Sequence, residues 1–322
     1  MDKNRRKYDG LLSYLLWYTK NKGGGEMETV PAKTIVTRTK STSWFGTQYN
    51  MNIYRGCCHG CIYCDSRSAC YGVEDFDRVR VKENALEIIA RDLRRKVRPG
   101  VVGTGAMSDP YNPFERELEL TRHGLELLDA YGFGVAMATK SDLVVRDVDI
   151  LTQIAEHSPV LVKMTVTAAD DELCQKVEPY VCPSSQRFAA IRALSDAGIF
   201  TGVLLMPVLP FLEDNEENIG QIIAKAQESG ARFLYPAFGM TLRFNQREWY
   251  LQQLEKRFPG QGLRRRYEQT YGERYRCVSP KARQLWEFFR RECDERGLLY
   301  RMQDIIRAYQ LGYGGTQLSF FD

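Results

Sequence analysis

Long apolar runs are missing from this sequence, and their absence bears on membranes. No stretch approaches the ~20 consecutive apolar residues that a membrane-spanning helix needs. The nearest candidate, residues 11–18, follows a basic start but is short for a signal-peptide core and has no small-residue cleavage site after it. We therefore expect no membrane association and a cytoplasmic location.

Histidine and strong net charge are also scarce. The 322 residues include three histidines, and the net charge is +4. Three histidines leave little material for a closed Cys/His zinc site, and a mild charge neither requires nor excludes a nucleic-acid partner. The nine cysteines form no paired framework, which argues against a secreted disulfide scaffold and fits a reducing compartment.

Three of the cysteines stand close together in one loop. Cys57, Cys61 and Cys64 have the spacing C-x3-C-x2-C within residues 54–65. Thiolates at this spacing can hold three irons of a [4Fe–4S] cluster and leave the fourth iron open to another molecule. A zinc site usually takes four ligands in two pairs, and this loop offers one C-x2-C pair. Zinc, structural thiols, and a register in which Cys58 replaces Cys57 are the alternatives.

An alternation of apolar strands and amphipathic helices runs from about residue 34 to residue 240. The predicted strands are 52–54, 101–105, 133–138, 160–166, 200–206 and 232–235, and the predicted helices are 83–97, 113–131, 148–156, 184–198 and 215–228. Such β-then-α units predict an α/β fold with a parallel sheet covered by helices. We expect a partial (β/α)6 TIM-type barrel over residues 34–240. An N-terminal extension (1–33) precedes it, and a C-terminal helical and basic segment (241–322) with a flexible tail follows it.

The cysteine loop closely resembles the signature of the radical S-adenosylmethionine (SAM) enzymes. The resemblance implies the same barrel, and it implies SAM as a second cofactor that chelates the open iron through its amino and carboxylate groups. It further implies that one electron from an external donor splits SAM into methionine and a 5′-deoxyadenosyl radical, which abstracts hydrogen from a substrate. A reactive carbon radical needs an enclosed site, so the converging loops at one rim of a barrel suit this chemistry.

Several side chains at the predicted strand ends are candidates for holding SAM. Each also has an ordinary structural explanation, such as a βα turn, a lysine that snorkels to solvent, a β-branched residue favoured in strands, or a core aromatic. The candidates are Tyr63 in the cysteine loop, Ser108 and Asp109 after the second strand, Lys140 after the third, and Thr165 and Thr167 at the end of the fourth.

Residues 34–240 are also similar to the spore photoproduct lyase branch of radical SAM proteins. The similarity rests on the cysteine loop, Ser108-Asp109, Thr139-Lys140-Ser141, Glu178-Pro179 and the run 207–210 (Pro-Val-Leu-Pro). It implies lyase-type DNA repair, in which a cysteine returns hydrogen to the product radical. Ala106 stands at that cysteine's position here, and a methyl group does not readily donate hydrogen. The resemblance therefore implies the cofactor chemistry more strongly than dimer splitting, unless another thiol substitutes: Cys58, Cys70, Cys182 or Cys277.

Two basic segments after residue 240 favour a nucleic-acid substrate. Residues 264–267 (Arg-Arg-Arg-Tyr) and 274–276 (Arg-Tyr-Arg) interleave cations with tyrosine. This pattern suits a phosphate backbone with stacked bases, and a solvated helical surface is the alternative.

The tail, residues 317–322, is similar to the QLxLF-type peptides with which bacterial replication and repair proteins bind the DNA sliding clamp. In such a peptide Leu318, Phe320 and Phe321 enter an apolar pocket, and Gln317 anchors by hydrogen bonds. The alternative is a tail that folds its aromatic rings onto its own barrel, because exposed aromatics are costly without a partner.

Together these features predict a radical SAM enzyme in nucleic-acid repair or modification. One rival is radical chemistry on a peptide or small metabolite, and another is a non-catalytic iron–sulfur module. Formation of 5′-deoxyadenosine separates the enzyme from the module, and stimulation by a peptide separates the two enzymes.

Overall fold

The computed structural model describes residues 27–96 and 98–313. The expectations for residues 1–26 and for the clamp-binding tail lie outside the described residues. Within these ranges, none of the helices combines the length and apolarity that a bilayer crossing requires.

At least one α-helix lies between successive strands from β5 to β10 of the described chain. The strands are β1 (Thr29–Val30), β2 (Val36–Arg38), β3 (Tyr49–Met51), β4 (Tyr54–Arg55), β5 (Arg80–Lys82), β6 (Val101–Thr104), β7 (Gly134–Thr139), β8 (Val160–Thr165), β9 (Phe200–Leu205), β10 (Phe233–Pro236), β11 (Gly239–Thr241) and β12 (Arg276–Val278). The helices are α1 (Ala85–Arg94), α2 (Glu115–Leu118), α3 (Leu120–Ala130), α4 (Val148–Ala155), α5 (Asp171–Val177), α6 (Ser184–Asp196), α7 (Glu216–Glu228), α8 (Phe244–Arg257), α9 (Leu263–Tyr271), α10 (Ala282–Glu295) and α11 (Met302–Gln310).

A seven-stranded sheet in the order β10-β9-β8-β7-β6-β3-β2 carries the fold. Neighbouring strands are parallel from β10 to β3, and β2 closes the edge antiparallel to β3. Every residue of β8 is buried, because side chains on both of its faces are covered. The six parallel strands with their helices confirm the predicted partial (β/α)6 barrel.

The first predicted strand is wrong in position. The sheet strand is Tyr49–Met51 rather than 52–54, with Tyr49 and Met51 buried. Tyr54, the last residue of the predicted strand, forms β4 with Arg55 and belongs to a separate small sheet in the order β1-β5-β4. The chain therefore leaves the barrel sheet before it enters the cysteine loop.

The predicted helix over 113–131 is also wrong in its continuity. Glu119 has a φ of +51° and separates α2 from α3. The buried Glu115 carboxylate accepts a hydrogen bond from Thr121 N at 2.8 Å and another from the Tyr54 hydroxyl. These tertiary contacts stabilise the interruption of the helix at Glu119, where helix propensity alone favours a continuous helix.

Residues after 240 pack on the barrel at several places, and Leu285, Phe289 and Cys293 of α10 join the main core. A second apolar cluster joins α8 and α9 to Ile62 and Tyr63 of the cysteine loop. At the amino-terminal end of the strands, Ile305 and Tyr309 of α11 pack with Ala136. The β11–β12 pair is an antiparallel ribbon that lies beside the carboxyl ends of the strands, where it becomes part of the site.

Candidate active site

Two glycines give the cysteine loop its shape. Gly56 and Gly60 have φ values of +82° and +68°, in the left-handed region that favours glycine. A Cβ at position 56 would lie 2.5 Å from the Arg78 carbonyl oxygen, and one at position 60 would lie 2.5 Å from the Tyr180 ring. At position 56 the backbone of Arg78 leaves no room for another residue, and at position 60 a side chain would have to displace the exposed Tyr180 ring.

Backbone hydrogen bonds fix the loop from both sides. Cys57 N donates to Phe76 O at 2.8 Å, and Ile62 N donates to Val177 O at 3.0 Å. The cysteines are therefore held by two separate chain segments and not by the loop alone.

Most of the predicted site residues share one cavity of about 90 Å³ at the carboxyl ends of the strands. Its lining includes the cysteines Cys57, Cys61 and Cys64 and the predicted cofactor residues Tyr63, Ser108, Asp109, Lys140 and Thr165. Cys58 is absent from this lining and packs against the main core instead. The structure therefore brings together the three thiols of the C-x3-C-x2-C pattern and leaves out the alternative Cys58.

The donor set fits an iron–sulfur cluster. A tetrahedral zinc site with Zn–S bonds of ~2.3 Å would bring thiolates to within about 4 Å of one another. Among the described residues, no three His, Cys, Asp or Glu side chains form a group that could hold a single metal ion. Three soft thiol ligands around one cavity suit the larger [4Fe–4S] cluster. Burial raises the pKa of the Cys57 thiol to about 12 and that of Cys61 well above its ordinary value, so metal binding must supply the charge that stabilises the thiolates.

Asp109 joins the loops that follow β6 and β7. Its carboxylate accepts hydrogen bonds from Thr139 Oγ1 at 2.6 Å and from Lys140 N at 2.8 Å. It also lies 3.5 Å from Nδ1 of the buried His59, which the sequence analysis missed. Ser108 donates to Gly56 O at 2.6 Å and so connects the same loop to the cysteine loop.

Lys140 and Tyr63 face each other across the cavity, with the ammonium 5.8 Å from the ring centroid. Burial alone would lower the pKa of Lys140, but Cys61, Glu178 and Asp109 outweigh burial and hold that pKa above its ordinary value. Lys140 is therefore a charged group in the cavity and does not snorkel to solvent.

The buried ion pair between Glu178 and Arg187 fixes the position of the Tyr63 hydroxyl. The Tyr63 hydroxyl donates to Glu178, whose other oxygen accepts from Arg187 Nη1 at 2.5 Å. Burial would raise the pKa of Glu178, but Arg187 and Lys140 prevail and lower it. Arg187 also donates to Thr165 O at 2.9 Å. A signal for it was present in the sequence, because Arg187 falls on the apolar stripe of α6 at helical spacing from Ile191.

The two threonines of the fourth strand have different surroundings. Thr165 lines the cavity. Thr167 lies two residues farther on, and its hydroxyl donates to the buried Glu213 at 2.9 Å. Thr167 therefore fixes the loop after β8 rather than facing the thiols.

A second, larger cavity of about 510 Å³ adjoins the first. Tyr63, Cys64, Ser66, Ala106 and Lys140 line both, and Asp65 of the cysteine loop lines the second. The rest of its wall comes from the ends of β9 and β10 and from the β11–β12 ribbon, including Met206, Pro207, Phe238, Met240, Thr241, Arg276 and Val278. Its size is that of a ligand-binding cavity, and its lining is mostly apolar with a few polar groups.

A family model matches more than half of this chain. The model of the Radical SAM superfamily matches residues 51–223, which span the cysteine loop and the strands to β9. This chain belongs to the radical SAM superfamily. It is therefore a radical SAM enzyme by class, and the family implies a [4Fe–4S] cluster and SAM.

Relatives of this radical SAM protein occur in bacteria and archaea. A protein of Mycobacterium bovis is 31% identical over 249 residues, which are 75% of this chain and 72% of that protein. A protein of Methanocaldococcus jannaschii is 31% identical over 199 residues, covering 61% of this chain and 73% of that one.

Solved structures share the fold. Spore photoproduct lyase matches with a TM-score of 0.63 at 16% identity, over 88% of this chain and 83% of that one. The radical SAM methyltransferase TsrM of Kitasatospora setae matches with a TM-score of 0.53 at 12% identity, over 92% of this chain and 62% of that one. At such identities these likenesses concern the fold.

Proposed function

We propose that this protein is a radical SAM enzyme that abstracts a hydrogen atom from a nucleic acid in repair or modification. The observation that carries the proposal is the adjacency of the two cavities: the three thiols and Lys140 line the smaller one, and Cys64 and Lys140 also line the larger one. A cofactor bound at the thiols would thus lie beside a space of substrate size.

The residues fall into holding and orienting roles. Cys57, Cys61 and Cys64 would hold the cluster, and Tyr63, Ser108, Lys140 and Thr165 would hold SAM. When bound, the cluster and SAM would supply a hydrogen-abstracting radical once an external donor provides one electron. Lys140 supplies a fixed positive charge for the SAM carboxylate. Asp109 keeps the loop after β7 in place through Thr139 and Lys140 N, and Thr167 keeps the loop after β8 in place through Glu213.

The mouth of the larger cavity supports a nucleic-acid substrate. Arg276 lines the cavity, and the neighbouring Tyr275 is 42% exposed. The guanidinium of Arg243 lies 4.8 Å from the Tyr275 ring centroid and 5.5 Å from that of Tyr71. Cations interleaved with exposed aromatic rings suit phosphates and unstacked bases. One structure of spore photoproduct lyase contains a dinucleoside spore photoproduct, which supports a similar substrate class here.

The other basic segment, 264–267, supports the proposal less, because only Arg265 and Arg266 of it are exposed. Arg264 is paired with Glu248, Glu255 and Glu268 at 2.9–3.2 Å. Tyr267 is buried in the second apolar cluster. Residues 274–276 are therefore the segment on which the nucleic-acid proposal rests.

Dimer splitting of the lyase type is not part of the proposal. Ala106 lines both cavities, and among the described residues no cysteine other than the three of the cluster site lines either one. The Cys182 thiol, for example, lies 3.1 Å from Lys140 O. Another hydrogen source, or a product that keeps its modification, is required.

Anaerobic reconstitution followed by isotope tracing tests the proposed function. We expect the full chain to bind iron and sulfide, to cleave SAM with dithionite as reductant, and to transfer deuterium from a labelled oligonucleotide into 5′-deoxyadenosine. Cys57→Ala should lose the cluster and SAM cleavage, whereas Cys58→Ala is the matched control and should keep both. SAM cleavage without deuterium transfer from DNA or RNA, but with stimulation by a peptide, would assign the enzyme to peptide substrates.

A further inference from the structure

The start of α8 is fastened to the cysteine loop by three polar contacts. Arg243 Nε donates to Asp65 Oδ1 at 3.0 Å, Ala69 N donates to Asn245 Oδ1 at 2.9 Å, and Gln246 Nε2 donates to Tyr63 O at 2.9 Å. The three acceptors and donors on the loop side span residues 63–69, on both sides of Cys64. The start of α8, about 180 residues later in the chain, is thus hydrogen-bonded to the part of the loop that carries Cys64.

Asp65 is the centre of this contact. It follows Cys64 directly, and its carboxylate also accepts hydrogen bonds from Thr241 Oγ1 at 3.0 Å and from the Tyr71 hydroxyl at 2.7 Å. Thr241 and Asp65 both line the larger cavity. The carboxylate therefore links the cluster loop to the wall of the substrate space.

Arg243 gives the Asp65 carboxylate its counter-charge. The guanidinium is held between the rings of Tyr71 and Tyr275, and Nη2 donates to the Tyr275 hydroxyl at 2.9 Å. Its neighbour Arg247 is engaged elsewhere, because it donates to Gly272 O. Arg243 is thus positioned by aromatic contacts as the partner of the carboxylate that follows Cys64 in the chain.

We propose that Asp65 and Arg243 adjust the reduction potential of the cluster through their opposite charges. This inference rests on the proposed function, since it requires the cluster at Cys57, Cys61 and Cys64. Charge and hydrogen bonding close to a cluster shift its potential. A carboxylate next to a ligand favours the oxidised cluster, which carries one negative charge fewer, and the guanidinium offsets that preference.

The size of the effect is limited by solvent. The side chains of Asp65 and Arg243 are 31% and 33% exposed, so water and salt screen part of their charge. The shifts should therefore shrink as ionic strength rises, whereas a change caused by a displaced loop would persist.

Potentiometric titration of the reconstituted full chain with dithionite, followed by electron paramagnetic resonance, tests the pair. Asp65→Asn removes the negative charge and should raise the midpoint potential. Arg243→Gln leaves the carboxylate uncompensated and should lower it. The double variant should return towards the wild-type value. Arg264→Gln is the matched control, because its three acid partners all lie in α8 and α9, and it should produce no shift.

The signs decide the outcome. Shifts of opposite sign that salt diminishes support the pair. Shifts of the same sign in both single variants, or no shift in either, would overturn it, since loosened packing acts in one direction for both. A wild-type protein that binds no iron would instead overturn the proposed function, and this inference with it.

Discussion

Lys163 is the residue whose charge is most at odds with its surroundings. It lies on β8 opposite Gly202 and Ala138 of the neighbouring strands, is 3% exposed, and donates to Ala136 O at 3.2 Å. Burial lowers the pKa of Lys163 from 10.5 to about 7. A group of this kind makes stability depend on pH, because the unfolded chain binds a proton that the folded chain does not.

We expect Lys163 to contribute a gain in stability as the pH rises through the window set by its pKa. Glu213, whose pKa burial raises to about 8, contributes in the opposite direction up to about that pH. Between about pH 7 and 10.5 Lys163 holds more of a proton in the unfolded state, so its contribution to the free energy of unfolding gains up to ~3 kcal/mol between pH 7 and 9.5. Lys163→Met should flatten this dependence, and Lys176→Met, which changes an exposed lysine paired with Glu172, should not. Urea unfolding at the two pH values measures the difference, and equal slopes for wild type and Lys163→Met would refute the argument.

Gly105 is fixed by sterics at the site itself. It has a φ of +90°, and a Cβ there would lie 1.9 Å from Ala138 O. Gly132 also has a positive φ, +71°, but nothing lies within 4 Å of its Cβ position. The pair therefore separates the cost of a clash from the cost of backbone conformation.

Gly105→Ala should destabilise the protein far more than Gly132→Ala. Backbone strain alone costs ~1–2 kcal/mol per residue in the left-handed region, and the clash at position 105 adds to that and displaces Ser108 and Asp109. Thermal unfolding measures stability, and SAM binding by calorimetry reports the loop. Similar losses of thermal stability in the two variants would mean that the loop after β6 moves away from the added methyl group at no measurable free-energy cost.

At the scale of elements, the buried strands were the most predictable part. Strands β6 to β10 lie within one or two residues of their predicted bounds, because continuous apolar runs mark strands covered on both faces. The break at Glu119 could not be predicted, since it depends on contacts with Tyr54 and Thr121 that local sequence does not encode. For Arg187 the sequence offers the buried position on the apolar stripe of α6, but its partner Glu178 is identified only once α6 has packed.

The Glu178–Arg187 pair connects α6 to the cysteine loop, and we expect its loss to be costly. Both side chains are at most 1% exposed, so removing one leaves a buried charge without its partner. Arg187→Met should lower the free energy of unfolding by roughly 3–5 kcal/mol, and Glu178→Gln combined with Arg187→Met should cost less than the sum of the two.

Arg283→Met provides the control for this pair. Arg283 is 94% exposed and contacts Glu287 one turn away, so its loss should change stability by less than about 0.5 kcal/mol. Chemical denaturation of wild type, the two single variants and the double variant completes the cycle, with Arg283→Met measured beside it. Additive costs for Glu178→Gln and Arg187→Met would show that the two side chains do not act as a unit.

At the scale of the whole molecule, the site is assembled from distant parts of the chain. The C-x3-C-x2-C spacing and the strand ends point to the thiols and to Lys140, since both follow from local patterns. The wall formed by β11 and β12 could not be predicted, because its two strands pair across 34 intervening residues and each is only three residues long. Asp65 joins these two parts of the site, because it follows Cys64 in the cysteine loop and accepts a hydrogen bond from Thr241 of β11.

From the resemblance of residues 317–322 to clamp-binding peptides, we predict that the tail brings the enzyme to its substrate by binding the sliding clamp. Leu318, Phe320 and Phe321 supply the apolar contacts and Gln317 the hydrogen bonds, whereas Ser319 has no role in such a peptide. Binding of the full chain to a purified bacterial sliding clamp, measured by surface plasmon resonance, should weaken at least ~10-fold in Phe320→Ala/Phe321→Ala, since central aromatic anchors dominate small interfaces. Ser319→Ala should bind like wild type. Equal binding by a variant that lacks residues 317–322 would show that any clamp contact lies elsewhere, and recruitment would then have to come from the cavity mouth alone.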